Sequence, residues 1–224
     1  MLSREDHGRI EAAIAAAEAS TRGEIVCAVT EEAGVYAEVP LAWAAAMALV
    51  LPLVPLAALG VFRHLGLAAR AWSLHLDVIT AVTGYVFVQC ILFLAVFVAA
   101  SVPAVRRWLT PALIKRKHVR ARATEQFLAR GLDRTRERIG VLIFVSLKDR
   151  QVEILADIGV SEKIAEPAWR EVVADLVGGV RAGRPADGFV AAVARAGRLL
   201  AEHFPAGPDN PNELSDSVVD APSR

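Results

Sequence analysis

Gly140-Val-Leu-Ile-Phe-Val-Ser-Leu147, the turn Lys148-Asp149-Arg150, and Gln151-Val-Glu-Ile-Leu-Ala156 decide the fold. The first segment is an almost unbroken apolar run, too short for a packed helix and apolar enough to be buried on both faces, as a central strand is. In the second, Val152, Ile154 and Ala156 alternate with Gln151 and Glu153, the pattern of an outer strand. Together they predict a hairpin with one inner and one outer strand. Upstream, a helix is predicted from about Val119 to Arg138, with Ala123, Phe127, Gly131 and Thr135 on its inward face. Downstream, Pro167 suits the first turn of a helix carrying Trp169, Val172, Val173, Leu176 and Val180. Asp187 is expected to cap a last helix with Phe189, Val193, Ala196, Leu200 and Phe204 inward.

At the other end of the chain, Leu2-Ser3-x-x-Asp6 has the form of a capping box. Ile10, Ala13, Ile14 and Ala17 then recur at helical spacing, and Glu24–Thr30 is a β-branched run that reads as a strand. One helix and one strand bury too little surface to fold alone, so residues 1–38 must complete the C-terminal half. The expected fold is α/β, a small sheet sandwiched by helices. Its first part spans residues 1–38 and its second, with a basic start, residues 106–205. Residues 206–224, rich in Pro, Asp, Asn and Ser, are expected to be an irregular tail.

What separates the two parts carries almost no charge. Residues 39–62 and 78–105 contain no Asp, Glu, Lys or Arg, and about 20 helical residues cross a hydrocarbon core. Residues 39–105 therefore read as an inserted transmembrane hairpin, with spans at about 39–62 and 78–102. Pro52 and Pro55 predict a kink in the first span, and Trp43 and Trp108 fall near the expected interfaces. The connector holds Arg63 and Arg70. After the second span come Arg106, Arg107, Lys115, Arg116, Lys117, Arg120 and Arg122. That asymmetry places both termini in the cytoplasm of an inner or plasma membrane, with the lipid bilayer as the first partner.

Composition agrees once it is divided. The 224 residues hold 25 Lys and Arg against 25 Asp and Glu, with a mean hydropathy of +0.40. A neutral total excludes a dedicated nucleic-acid binder, and positive hydropathy excludes a disordered chain. Cys27 lies in the first strand and Cys90 in the second span, too far apart to form a disulfide.

The hairpin strands, Pro167-Ala-Trp169, the run RAGRPADGF and the HFP and NEL segments of the tail resemble the TPM domain family, in its bacterial membrane-anchored branch. The resemblance is good over residues 118–214 and loose over 1–38. It implies an α/β/α sandwich, and in some plant relatives a calcium-binding acid phosphatase. It points to Asp157, Glu162 and Asp187 as candidate metal ligands and to calcium as the ion, although calcium takes six to eight oxygens. It also implies a LemA-like membrane protein as a partner.

The residues themselves supply no complete catalytic set. There is no P-loop, no dinucleotide-binding glycine motif, no H-E-x-x-H and no paired C-x-x-C, and the five histidines are dispersed. Arg181 and Arg184 after Gly178-Gly179 suit an anion, or else the glycines serve close helix packing and the arginines face solvent. Two functions follow: a membrane-anchored interaction or assembly module, and a divalent-metal-dependent phosphatase.

Overall fold

The structure, a computed structural model, describes residues 2–54, 78–207 and 212–222. The chain forms two units. One joins Met1–Val35 to Ala112–Arg224, and the other is Tyr36–Pro111.

The first unit is mixed α/β. Strands β1 (Glu24–Thr30), β2 (Gly140–Ser146), β3 (Gln151–Ala156) and β4 (Val219–Asp220) form one sheet in the order β3-β2-β1-β4. β1 and β2 are parallel and pair over their whole length, from Glu24 with Gly140 to Thr30 with Ser146; β2 and β3 form the expected antiparallel hairpin. Alternation sorts their side chains into two cores. Ile25, Cys27, Val29, Val141, Ile143 and Val145 share a cluster with α1 (Arg4–Glu18), α7 (Arg170–Arg181) and α8 (Pro185–His203). Val26, Ala28, Leu142 and Phe144 pack with Val119, Ala123 and Phe127 of α5 (Ala112–Ala129). The sheet is thus flanked by helices on both faces. Each buried Ile, Val, Leu or Phe contributes roughly 1.5–3 kcal/mol of burial.

Local chemistry sets most boundaries. Ser3 and Asp6 form the reciprocal capping box at the start of α1. The helix predicted from about Val119 starts seven residues earlier, at Ala112, because the basic run after it is good helix-forming sequence. It ends at Ala129 because Gly131, at φ 73°, turns the chain into a short 3-10 segment, Leu132–Arg134. Ala123 and Phe127 face inward as expected, whereas Gly131 and Thr135 lie beyond the helix. Pro167 opens a 3-10 turn, Glu166–Trp169, which leads into α7. The expectation that residues 206–224 are irregular is corrected: Val219 and Asp220 pair in parallel with Ala28 and Val29 of β1, so the tail supplies β4. Its apolar run is too short for any periodicity to show in the sequence.

In the second unit, α2 (Glu38–Val50) is apolar, with Ala44 and Ala48 buried, and α3 (Val78–Ser101) contains one stretch, Val82–Ser101, long and apolar enough to cross a membrane. A short α4 (Pro103–Leu109) follows. The Trp43 indole donates to the Leu109 carbonyl at 3.3 Å, so the start of α2 and the end of α4 meet. The two spans read from the sequence are thus reduced to one helix of sufficient length among the described residues. α2 itself stops at Val50, with a turn at Leu51 and Pro52, and residues 55–77, which include Pro55 and the Arg63 and Arg70 connector, lie outside the described residues.

Of the Gly178-Gly179 pair, Gly179 serves close helix packing. A Cβ on Gly179 would lie 2.6 Å from the Gly188 nitrogen and 2.9 Å from the Arg184 carbonyl, while one on Gly178 would meet nothing within 4 Å. Gly178→Ala should therefore raise the melting temperature, by the ~1 kcal/mol helix advantage of Ala over Gly. Gly179→Ala should lower it, by ~1–3 kcal/mol of overpacking. Thermal unfolding of the two variants side by side checks this, and equal shifts would contradict the packing.

Candidate functional site

Open α/β sheets place their sites beyond the carboxyl ends of parallel strands. Here β1 and β2 end side by side at Thr30 and Ser146, both buried. The tight turn after β2 swings Asp149 back under them. Its Oδ2 accepts from the Ser146 hydroxyl at 2.6 Å and from the Ala33 N–H at 2.9 Å, and its Oδ1 is buried without a hydrogen-bond partner among the described residues. Lys148 reaches Glu31 at 2.5 Å, tying the same two strand ends together and holding the Glu31 carboxyl below its ordinary pKa. Ser146 is fully buried and its proton is already given to a carboxylate, so it acts here as a brace for the turn. Nothing in the sequence marks Asp149 as more than a turn residue; its role appears only when β1 and β2 are paired.

The acids singled out in the sequence lie elsewhere. Asp157 follows β3 and caps the short helix α6 (Ile158–Ser161), accepting from the Ile158 N–H at 2.7 Å. Both of its oxygens also accept from Arg138, at 2.6 and 3.0 Å, and only 6% of the residue is exposed. Two parallel charge-assisted hydrogen bonds from the half-exposed Arg138 offset the cost of burying the Asp157 carboxylate. Gly159 is needed beside it, since a Cβ there would lie 2.7 Å from the Arg138 carbonyl and 2.9 Å from that of Glu137. Glu162 is exposed on the C-terminal residue of the same turn. Asp187 is not the N-cap expected of it. Pro185 already lies in the first turn, the flanking residue is Arg184, and Asp187 accepts from Arg9 at 2.6 Å and pairs with Arg184 at 3.3 Å. Asp157 and Asp187 are thus each bound to their own arginines. Among the described residues no group of three or more His, Cys, Asp and Glu is placed to hold a metal ion. The structure does not bring Asp157, Glu162 and Asp187 together as a calcium-binding set.

A different acidic group forms at the opposite end of β1. Glu18, from the end of α1, accepts from the Ile25 N–H at 2.7 Å, and Glu24 accepts from the Glu213 and Leu214 N–H groups at 3.2 Å each. Asp216 lies near Glu18 and adds its charge to the group. The arrangement fastens the tail to β1 just before β4. Burial, reinforced by the nearby charges of Glu24 and Asp216, pushes the Glu18 carboxyl up to about 8; burial also raises Glu24. Glu18 and Glu24 are six residues apart, and the docking of the tail brings Asp216 to them.

Glu18 makes stability depend on pH. Between an unfolded value of 4.5 and a folded value of about 8, the native protein holds a proton that the unfolded chain has released. Stability therefore falls as pH rises through that window and levels off above it. Glu18→Gln keeps the acceptor for Ile25 without the charge. It should flatten the slope and raise the urea midpoint on the alkaline side of the window; an unchanged slope would contradict the assignment.

Three comparisons bear on this architecture. No curated protein matches the chain. The solved NMR structure of the BA42 protein, from the psychrophilic bacterium Bizionia argentinensis, shares its fold: the TM-score is 0.57 at 18% identity, over 99% of this chain and 96% of that one. Residues 107–199 match the family model of the TPM domain.

Proposed function

We propose that the chain, whose residues 107–199 match the family model of the TPM domain, is a membrane-anchored TPM protein whose α/β unit serves as an interaction module for membrane proteins. The observation that carries the anchoring is α3. Its Val82–Ser101 stretch is uncharged, none of its most apolar window is buried, and Phe87, Leu94 and Val98 are exposed to the surroundings. A face of that size and composition is stable against lipid and costly in water.

The parallel pairing of β1 with β2 supports a second crossing. One strand precedes the apolar unit and the other follows it, so a chain that crosses a bilayer between them must do so an even number of times. The second crossing falls to the segment beginning at α2, as the uncharged run of residues 39–62 suggests. The cations Arg106, Arg107, Lys115, Arg116, Lys117, Arg120 and Arg122 favour a cytoplasmic location for the α/β unit and both termini. The interaction reading draws on how the acids are used. Asp157, Asp187, Glu24 and the Oδ2 of Asp149 are engaged in bonds that hold elements together. A LemA-like membrane protein remains the partner that the family resemblance proposes.

Topology is tested by fusions after Arg224 in a bacterial host. A green fluorescent protein there should fluoresce and an alkaline phosphatase should be inactive, with the protein resisting alkaline carbonate extraction. An active phosphatase would overturn the orientation, and release by carbonate would overturn the anchoring.

A further inference from the structure

β3 is the edge of the sheet, and among the described residues no strand lies on its outer side. Exposed edges carry unpaired N–H and C=O groups and are templates for an added strand. Beside the start of β3, between it and the end of α7, the surface sinks into a pocket of about 130 Å³ with walls of Val145, Val152, Val177 and Val180 and with Ser146 and Gln151 also in its lining. Arg150 and Arg181 line the same pocket. Both are exposed, and among the described residues neither makes an ion pair or hydrogen bond through its side chain, whereas the neighbouring Arg184 and Arg195 are paired with Asp187 and Asp175. Arg150 is also held at φ 54°, a left-handed position that glycine or asparagine occupies more easily.

A pocket with valine walls and a polar rim, two unpaired guanidinium groups and a free strand edge share one end of one groove. Guanidinium forks match carboxylates, and a peptide's terminal carboxylate is the anion that arrives with both an adjoining backbone and an adjoining side chain. Because Arg150 stands at the start of β3, a carboxylate held there directs the incoming chain antiparallel to β3. Alternate side chains of that chain then face the same side as Val152 and Ile154.

We propose that the groove between β3 and α7 binds the extended carboxyl terminus of a partner protein, which adds a strand antiparallel to β3. The terminal carboxylate lies between Arg150 and Arg181, and an apolar last side chain fills the valine pocket. This deepens the reading of the α/β unit as an interaction module by naming its site and the chemistry of its partner. It does not depend on how many times the chain crosses a membrane, so failure of the topology test and failure here are separate results.

The test uses the full chain in neutral detergent and dye-labelled eight-residue peptides of Ser, Thr and Val ending in Val, Leu, Ile or Phe, read by fluorescence polarisation. Saturable binding is expected for at least one free-acid peptide. Amidation of its carboxyl terminus should weaken binding by about tenfold or more, the scale of a lost charge-assisted pair. Arg150→Gln and Arg181→Gln should each do the same without lowering the melting temperature, Arg→Lys at either position should restore part of the loss, and Arg198→Gln, an exposed arginine outside the pocket, should change nothing. Failure of all four peptides to saturate, equal binding of acid and amide, or indifference to both arginines would overturn the proposal. Displacement of the peptide by an equimolar amount of inorganic phosphate would mark a small-anion pocket and overturn it as well.

Discussion

The pairing of β1 with β2 is the constraint on which the remainder of the protein depends. The two strands are separated by 109 residues, of which 76 belong to the inserted unit. Lengthening a flexible loop roughly threefold costs only about 1 kcal/mol in closure entropy. Ile25, Val26 and Val29 each recover as much by burial between the two helical layers. The insertion is therefore thermodynamically tolerable provided that it returns the chain to the place where it left. That proviso couples the fold to the topology: a bilayer-crossing insertion is compatible with this sheet only when its crossings are even in number.

The same pairing organises the polar groups. At the carboxyl ends of β1 and β2, Asp149 and Lys148 from the hairpin turn bond Ala33 and Glu31 from the segment after β1. At the amino end of β1, Glu18 and Glu24 hold the tail that supplies β4. Each end joins segments from both sides of the insertion. An acidic N-terminal segment and a basic-to-neutral C-terminal half, which cancel in the total charge, are brought together by specific bonds of this kind.

Legibility in the sequence followed the range of the interactions. The capping box, β1, β2 and β3 could be read because their signals lie within a few residues: Ser3 with Asp6, the unbroken run from Val141, the alternation from Gln151. The start of α5 was misread because a basic run looked like a flank, though Lys and Arg are good helix formers. β4 carried no period to read. The acids misled for a related reason. Asp157 and Asp187 have the composition of ligands, but what they do is set by Arg138 and Arg9, and the second of these comes from another helix entirely. Asp149, Glu18 and Asp216 have local partners in Ser146, Ile25 and Asn212, but Asp149 reaches Ala33, and Asp216 comes near Glu18, only in the assembled fold. In the valine pocket, Arg181 was legible as a candidate for anion binding, whereas its companion Arg150 was set beside it by the turn.

Hydrogen exchange of the full chain in detergent tests the central claim most directly. If residues on either side of the insertion form one sheet, the amides of Ile25–Val29 should be protected to the same free energy as those of Val141–Val145, and both should be lost in a single cooperative opening. Rapid exchange in β1 while β2 and β3 remain protected would contradict the account.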